Sequence, residues 1–265
     1  MELRNSAKWF SVVLILSAAA WAQDQGLTFH WSGKLSADQV VEVKNINGTI
    51  EAEAGTGDEV QVTAEKSGPK AEQVQIKVVP HKDGVTICAI YPPNFFGGSS
   101  RSCEPGNSWH SSNVHTDDTK VHFVVHLPRN LRLSAQNING DIQAADLGRA
   151  VHAASVNGSV RVSTDAWTDV DTVNGSIEAR MGSADWTGQL KIHSVNGSVR
   201  LQMPNDLSAD VKFNSVNGKI SSDFPITISG GFVGHSARGT VGKGGRELEV
   251  DTVNGSIELK KGSSI

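Results

Sequence analysis

A short motif that recurs seven times along the chain limits what this sequence can fold into. Each copy has Ile or Val, then Asn-Gly, then another Ile or Val three residues after the Asn. The residue four positions before each Asn is apolar, and the residue two positions before it is small and polar. The Asn-Gly pairs are Asn47-Gly48, Asn139-Gly140, Asn157-Gly158, Asn174-Gly175, Asn196-Gly197, Asn217-Gly218 and Asn254-Gly255. An internal repeat of this kind predicts one elongated domain, in which similar units stack on each other.

The copies can be arranged either as hairpins or as stacked coils. Asn-Gly between alternating strands is the strongest short-range hairpin signal, and it predicts an antiparallel β-meander or sandwich. A two-residue turn, however, places Val156 on the opposite face from Val160, although both positions are Ile or Val in every copy. A bend just before Val156 lets both side chains point inward, with the glycine supplying an unusual backbone conformation. We therefore expect a parallel β-solenoid, or β-helix, with short strands, and keep the antiparallel arrangement as the alternative.

The outward-facing positions favour the stacked coils. Four residues after the Asn, successive copies carry Arg161, Glu178 and Arg200. Parallel strands stack equivalent positions at ~4.8 Å, so these opposite charges form a ladder, whereas antiparallel pairing brings unlike positions together. The Asn side chains are expected to form a second ladder, in which amides hydrogen-bond along the stack.

The N-terminal segment has the composition of an export signal. Two basic residues precede an apolar run, 9–20, and Ala20-Trp21-Ala22 fits the small-x-small rule for signal peptidase. We interpret residues 1–22 as a cleaved signal peptide and residues 23–265 as a single β-solenoid domain. An uncleaved membrane anchor is the alternative, but the run is shorter than the ~20 residues that a span needs. We expect an exported protein, periplasmic, cell-surface or secreted, with no membrane insertion after cleavage.

The charge balance disfavours polyanionic partners. The formal net charge of the chain is −4, and loss of Glu2, Arg4 and Lys8 with the signal, one acidic and two basic groups, makes it −5. Such a chain offers little attraction to a nucleic-acid backbone or an anionic membrane surface. No nucleic-acid partner is therefore expected.

The two cysteines, Cys88 and Cys103, are expected to form a disulfide. Both lie in the exported part of the chain, where disulfides persist; two buried free thiols are the alternative. By the loop-closure model, such a bridge contributes ~3 kcal/mol. The disulfide would anchor a long loop, 91–119, to the preceding strand. This loop is rich in Pro, Gly, Ser and Asn and has no periodicity. Alternating segments outside the repeat also predict strands, at 59–65, 74–79, 85–90 and 121–127.

Several histidines are candidate metal ligands, because imidazoles with carboxylates can hold a transition metal. Five of them lie in one part of the chain: His81, His110, His115, His122 and His126. His122 and His126 are four residues apart on a predicted strand, so their Cα atoms are ~13 Å apart and cannot share an ion. Only His110 and His115, with Asp117, form a candidate metal pair, and polar surface histidines are the alternative. We assign no cofactor.

Some carboxylates are candidate catalytic groups, because polysaccharide lyases and glycosidases need carboxylates clustered on one face. Asp169 and Asp171 share a face, and Asp185 and Asp251 fall near comparable corners. Isolated Asp residues at turns commonly bond local backbone N–H groups, which is the simpler interpretation. Ser155 and its equivalents occupy repeated structural positions, so no nucleophile is assigned there. We assign no catalytic residue.

Two tryptophans, Trp167 and Trp186, are candidate ligand-binding residues. Both lie between copies of the motif, where a corner can expose an aromatic ring to a sugar or a protein partner. The alternative is that each ring caps the apolar core.

The motif also carries a resemblance. The sequence resembles the bacterial putative-adhesin family of uncharacterised exported proteins, whose hallmark is a recurring [IV]-[NS]-G-x-[IV] motif. The resemblance covers most of the chain after the signal, including residues 40–48, 124–128, 131–133, 239–242 and 251–257. The resemblance implies a right-handed β-solenoid fold and export, and it suggests adhesion as the function. It implies no catalytic residues.

These observations lead to three hypotheses about function. The first is a non-catalytic exported β-solenoid that acts as a binding, adhesion or scaffolding protein of the cell envelope, with a glycan or an envelope protein as its partner. The second is a carbohydrate-active enzyme, a polysaccharide lyase or hydrolase, on the same scaffold. The third is an envelope stress or signalling component that binds another protein.

Overall fold

The computed structural model of the protein describes residues 21–92, 103–106, 118–228 and 236–262. Within these ranges the chain is almost entirely β, with one short 3-10 helix at Ala71–Gln73. The strands are β1 (Trp21–Gln25), β2 (Thr28–Gly33), β3 (Val40–Lys44), β4 (Ile50–Ala54), β5 (Val60–Ser67), β6 (Gln75–His81), β7 (Gly84–Ile90), β8 (Lys120–Leu127), β9 (Arg132–Asn139), β10 (Ile142–Leu147), β11 (Val151–Asn157), β12 (Val160–Thr164), β13 (Thr168–Asn174), β14 (Ile177–Met181), β15 (Gln189–Asn196), β16 (Val199–Met203), β17 (Ala209–Asn217), β18 (Ile220–Ser222), β19 (Ile226–Ile228), β20 (Ser236–Val241), β21 (Glu247–Asn254) and β22 (Ile257–Lys261).

The strands form two 11-stranded sheets. Sheet 1 has the order β1-β2-β5-β8-β4-β10-β12-β14-β16-β22-β18, and sheet 2 has the order β19-β20-β17-β21-β15-β13-β11-β9-β3-β7-β6. Each copy of the motif contributes one strand to each sheet, with Asn-Gly at the corner between the two strands. We call such a pair of strands a coil. Neighbouring copies pair in parallel and in register, whereas β1, β2, β5, β6, β19 and β20 pair antiparallel with their neighbours. Both sheets are therefore mixed: the expected parallel pairing is present between the repeat coils and continues to β7 and β8, and the remaining pairs are antiparallel.

The core lies between the two sheets, because alternate residues of each strand point inward. The apolar residues four positions before each Asn are at most 1% exposed: Val43, Ala135, Ala153, Val170, Ile192, Phe213 and Val250. The strands predicted outside the repeat correspond to β5, β6, β7 and β8.

The residue just before the Asn faces inward, as predicted, only in the first two copies. Val156, Val173, Val216 and Val253 are 36–59% exposed, and only Ile46 and Ile138, in the first two copies, are buried. The bend expected before Val156 is absent: strand β11 continues through Asn157, so strict alternation turns the Val outward. The chain turns at the glycine that follows.

The interior position next to the corner is occupied instead by the small polar residue two positions before the Asn. Thr172, for example, is 2% exposed, and its hydroxyl donates to the carbonyl of Gly158 in the adjacent coil at 3.0 Å. Side chains at the equivalent positions make the same bond to a neighbouring glycine carbonyl: Asn137, Ser155, Ser194, Ser215 and Thr252. A buried carbonyl needs a hydrogen-bond donor, which explains why this position is always small and polar.

The corner glycines are needed for close approach between coils. A Cβ atom on Gly175 would lie 2.0 Å from the carbonyl oxygen of Gly158, and one on Gly197 would lie 1.9 Å from that of Gly175. The unusual backbone conformation that the sequence suggested is present only at Gly48 and Gly140, the corner glycines with positive φ. In the other copies, stacking distance rather than φ excludes a side chain.

The Asn side chains form the expected amide ladder, but the coils are not stacked in chain order. The bonds run Asn157 to Asn139, Asn174 to Asn157, Asn196 to Asn174, Asn254 to Asn196 and Asn217 to Asn254, each at 2.7–2.8 Å. The C-terminal coil, β21–β22, therefore lies between the coils β15–β16 and β17–β18.

A disulfide joins Cys88 and Cys103, with the Cα atoms 5.8 Å apart. It holds the 103–106 segment of the long loop against the outer face of sheet 2. There the Lys44 ammonium donates to the carbonyl of Glu104 at 2.7 Å and lies 3.2 Å from the Glu42 carboxylate, which also accepts the Gly106 N–H. Glu42 and Lys44 are 4% and 1% exposed. The rest of the loop lies outside the described residues, except 91–92 and 118–119.

Candidate binding surface on sheet 1

The outer face of sheet 1 carries the charge ladder that the sequence suggested. Arg161, Glu178 and Arg200 are in register on β12, β14 and β16, and Glu258 of β22 continues the row. Arg200 Nε lies 2.7 Å from a Glu258 carboxylate oxygen, and Arg161 Nε lies 3.9 Å from Glu178. Hydrogen bonds from Lys260, which has the larger effect, and from Arg200 lower the pKa of Glu258. The fourth charge thus comes from the inserted C-terminal coil.

A groove of about 380 Å³ runs across this ladder. It forms because the small residues Ala145 and Ser163 lie beside the long side chains of Arg161 and Arg180, and small neighbours leave a depression in an outer face. Its polar walls are Gln143, Arg161, Ser163, Glu178, Arg180, Arg200 and Gln202. We call this the arginine groove.

Arg180 is one of the three arginines that line the arginine groove. It is in register with Ser163 on one side and Gln202 on the other, and one of its guanidinium nitrogens donates to Asp146 at 3.0 Å. A guanidinium has five N–H donors, so this single bond leaves donors for a ligand. The side chains of Arg161, Arg180 and Arg200 are 50–61% exposed.

A second depression, of about 470 Å³, shares Arg180 and Gln202 with the arginine groove. It extends to the far corner of the coils, where its wall includes Asp165, Asn205 and Asp206. Asp165 is paired with Arg129. Together the two depressions form one surface across the four coils that contain β10, β12, β14 and β16.

The outer face of sheet 2 carries the candidate catalytic carboxylates. Asp169 and Asp171 share this face on β13, as predicted, and His152 Nδ1 lies 2.6 Å from Asp169 Oδ1. This hydrogen bond raises the pKa of His152, and burial among neighbouring groups raises the pKa of Asp171. Asp251 is in register with His193 and accepts a hydrogen bond from Asn214.

These carboxylates form rows with histidine and amide side chains. The first row runs His152, Asp169, and the second runs Asp171, His193, Asp251. Asp185 lies apart from both, between β14 and β15. Ser134 is in register with His152. In the part of the chain that the structure describes, however, no hydrogen bond joins the Ser134 hydroxyl to the His152 imidazole, as a nucleophile and its base would require. The rows alternate carboxylates with imidazole and amide side chains, and cross-strand pairs of this kind stabilise a sheet by themselves.

The two candidate tryptophans lie in different environments. Trp186 is 2% exposed, and its indole N–H donates to the carbonyl of Glu247 at 3.0 Å, so its ring lies in the core and holds the start of β21. Trp167 is half-buried and packs against the core. Neither ring lines the arginine groove.

The candidate metal pair, His110 and His115 with Asp117, lies outside the described residues. The other histidines considered have structural partners: His126 Nδ1 lies 3.0 Å from Glu53, and His81 Nε2 lies 3.3 Å from the Thr86 hydroxyl. Across the described ranges, no group of three or more His, Cys, Asp or Glu side chains could hold a metal ion.

Sequence reasoning identified Arg161, Glu178 and Arg200 but missed Arg180 and Gln202. A signal for them was present, because both occupy the position six residues after the Asn in their copies. Residues four and six positions after the Asn share one face of a strand, so the second row could have been found by extending the alignment by two residues.

Comparison with known protein families identifies the fold family. Residues 41–260 match the family described as Toastrack DUF4097. The chain belongs to this family. No curated protein matches the chain. Among the described residues, no helix has the length and hydropathy of a membrane span.

Two solved structures are similar to this family member over 88% of its chain. One is a "putative cell adhesion protein" from Clostridium sporogenes ATCC 15579, with 11% identity, 99% of that chain covered and a TM-score of 0.47. The other is a "putative adhesin" from Bacteroides fragilis NCTC 9343, with 11% identity, 96% of that chain covered and a TM-score of 0.31.

Proposed function

We propose that this protein is a non-catalytic, exported binding protein of the cell envelope, which contacts acidic glycans through the arginine groove. In this proposal residues 1–22 are a cleaved signal peptide, so that the mature chain keeps only the last three residues of β1 (Trp21–Gln25), and residues 23–265 form a single right-handed β-solenoid domain. Trp167, half-buried at a coil corner, is a secondary contact.

The guanidinium donors of the arginine groove carry this proposal. The whole chain has 24 Lys and Arg against 28 Asp and Glu, but the groove is lined by three arginines and one glutamate. Arginine pairs with carboxylates through two parallel N–H···O bonds, and charge-assisted bonds of this kind are about twice as strong as neutral ones. Each of these arginines is paired with one carboxylate, Glu178, Asp146 or Glu258, but a guanidinium has five N–H donors, so others are left for a ligand. These remaining donors favour a ligand with spaced carboxylates, while the negative chain as a whole repels a dense polyanion.

The shape of the surface supports binding rather than hydrolysis. The arginine groove is shallow and crosses several coils, and its single carboxylate, Glu178, is paired with Arg161. Glycosidases need two carboxyl groups that converge on the scissile bond. The groove lining contains no such pair.

The test is binding of uronic-acid oligosaccharides to purified residues 23–265, measured by calorimetry, with neutral oligosaccharides of the same length for comparison. We expect acidic oligomers to bind and Arg180→Gln to weaken binding at least about tenfold, which corresponds to ~1.4 kcal/mol. Lys191→Gln is the matched control, because Lys191 is a 63% exposed cation on sheet 2, and it should leave the affinity unchanged.

Equal affinity for acidic and neutral oligomers, or equal losses in the two variants, would contradict the proposal. A parallel pull-down from envelope extract distinguishes a protein partner: capture that is abolished by Arg180→Gln while no oligosaccharide binds would replace the glycan by an acidic protein. Release of shorter sugars during incubation would replace binding by the enzyme hypothesis.

A further inference from the structure

The C-terminal coil occupies a slot between two coils that precede it in the chain. Strand β21 is in parallel register with β15 on one side and β17 on the other, and β22 is in register with β16 and β18. The chain therefore leaves the stack after β16, forms β17 to β20 one coil farther along, and returns to fill the gap.

The coil β17–β18 depends on this insertion. In the described part of the chain, β17 pairs only with β20 and β21, and β18 pairs only with β22. Withdrawal of the C-terminal coil would therefore leave two facing edges in each sheet, each with unpaired backbone groups. Such edges are templates for another strand.

The slot is specific for one sequence pattern. Leu248 and Val250 fill the core, and Thr252 donates to the carbonyl of Gly197 at 2.8 Å. Asn254 accepts from Asn217 and donates to Asn196, so it completes the amide ladder. Glu258 pairs with Arg200. A segment that meets all these contacts needs the spacing of the repeat motif, and the C-terminal coil of a second copy has it by identity.

The connection into the slot has the features of a hinge. Residues 242–246 cross the start of β17, and Gly242, Gly244 and Gly245 all have positive φ. The Gly245 N–H donates to the Asp210 carboxylate at 3.0 Å. Glycines that adopt positive φ also adopt extended conformations readily, so these residues can straighten without steric cost.

We propose that the C-terminal coil is a strand-exchange element, which enters the slot of a second copy and so joins two chains in a domain-swapped dimer. Every contact of the closed chain is kept in the dimer, and only the hinge conformation changes, which is the condition under which swapping is a low-cost route to dimers.

The experiment uses the unmodified protein. Equal amounts of chains with light and heavy nitrogen isotopes are mixed, unfolded in urea with the disulfide intact, and refolded at high concentration. The dimer is isolated and treated with a zero-length carbodiimide cross-linker. Lys191 on β15 lies 4.0 Å from Glu249 on β21, so this pair reports across the slot. Lys34 and Asp58, 2.8 Å apart and outside the exchanged coil, form the control pair.

We expect a dimer in which about half of the Lys191–Glu249 cross-links join a light chain to a heavy chain, the proportion for random swapped partners, while Lys34–Asp58 cross-links stay within one isotope. Absence of a dimer, or a dimer whose Lys191–Glu249 cross-links are all of one isotope, would overturn the proposal. Deletion of Lys243 and Gly244 shortens the hinge and should raise the dimer fraction at least about tenfold, because short hinges disfavour the closed monomer. A shortened variant that remains a folded monomer would also overturn it.

Discussion

The Asn-Gly corner and the outer face of sheet 1 are built from the same coils, but stacking constrains them very differently. At the corner, adjacent coils meet backbone to backbone, with no room for a Cβ on Gly175 and with the Thr172 hydroxyl bonded to the next carbonyl. On the outer face, side chains point to water and meet only through ion pairs such as Arg161 with Glu178. The corner is therefore repetitive because every coil must satisfy it, and the outer face is free to vary and to carry specificity.

The largest effect should come from adding one carbon at the corner. Gly175→Ala places a Cβ 2.0 Å from the Gly158 carbonyl oxygen, so the coils must move apart, and we expect a loss of about 3 kcal/mol or more in the free energy of unfolding. Urea denaturation measures it. Gly57→Ala is the control, since the nearest atom lies 4.0 Å away, and it should be neutral or slightly stabilising. Similar results for the two variants would show that the corner is not constrained by stacking.

Removal of the buried hydroxyl beside the corner should have the next largest effect. Thr172→Val keeps the shape of the side chain but leaves the Gly158 carbonyl without its 3.0 Å donor, and we expect a loss of ~1–3 kcal/mol. Thr172→Ser retains the hydroxyl and should lose much less. If Val were tolerated as well as Ser in urea denaturation, packing rather than hydrogen bonding would explain the small polar position.

The outer face of sheet 2 should show a smaller and pH-dependent effect. The Asp169 hydrogen bond raises the pKa of His152, so the pair stabilises the fold fully below the unfolded-state pKa of His, about 6.5, and the stabilisation is lost as the pH rises through the folded-state pKa. The wild type should exceed His152→Gln in stability by about 0.5 kcal/mol at pH 5.5, and by less at pH 9. Thermal unfolding at both pH values measures this, and a difference that grows with pH would contradict it.

The smallest effect is expected one residue from Thr172. Val173 is 40% exposed, so Val173→Thr should change the free energy of unfolding by no more than about 0.5 kcal/mol. If Val173 faced inward, as the sequence suggested, Val173→Thr would instead lower the free energy of unfolding substantially, because the new hydroxyl would be buried without a hydrogen-bond partner. Comparison of Val173→Thr with Thr172→Val in the same denaturation series therefore tests which of two adjacent β-branched residues faces the core.

Part of the candidate surface could be predicted from sequence. The ladder of Arg161, Glu178 and Arg200 follows from the spacing of the motif, because equivalent positions of parallel coils must be neighbours. Glu258 could not be placed in that ladder, since the sequence does not say which coil follows the one that contains Asn196. The groove also depends on Ala145 and Ser163, whose importance is visible only beside the long side chains that surround them.

The sequence by itself determined the strands of the repeat, the presence of Asn-Gly at a corner and the amide ladder, because these follow from a local pattern that repeats along the chain. It did not determine where the bend lies, since strand β11 continues through Asn157 and turns Val156 outward. Tertiary structure decided the position of the C-terminal coil, since the copies at Asn217 and Asn254 carry the same motif and either could stack on Asn196. It also decided the burial of Glu42 and Lys44, which lie on an outer face and are covered only because the Cys88–Cys103 disulfide holds the loop over them. Periodicity specifies which residues stack, whereas the order of stacking and the covering of a face depend on contacts between distant parts of the chain.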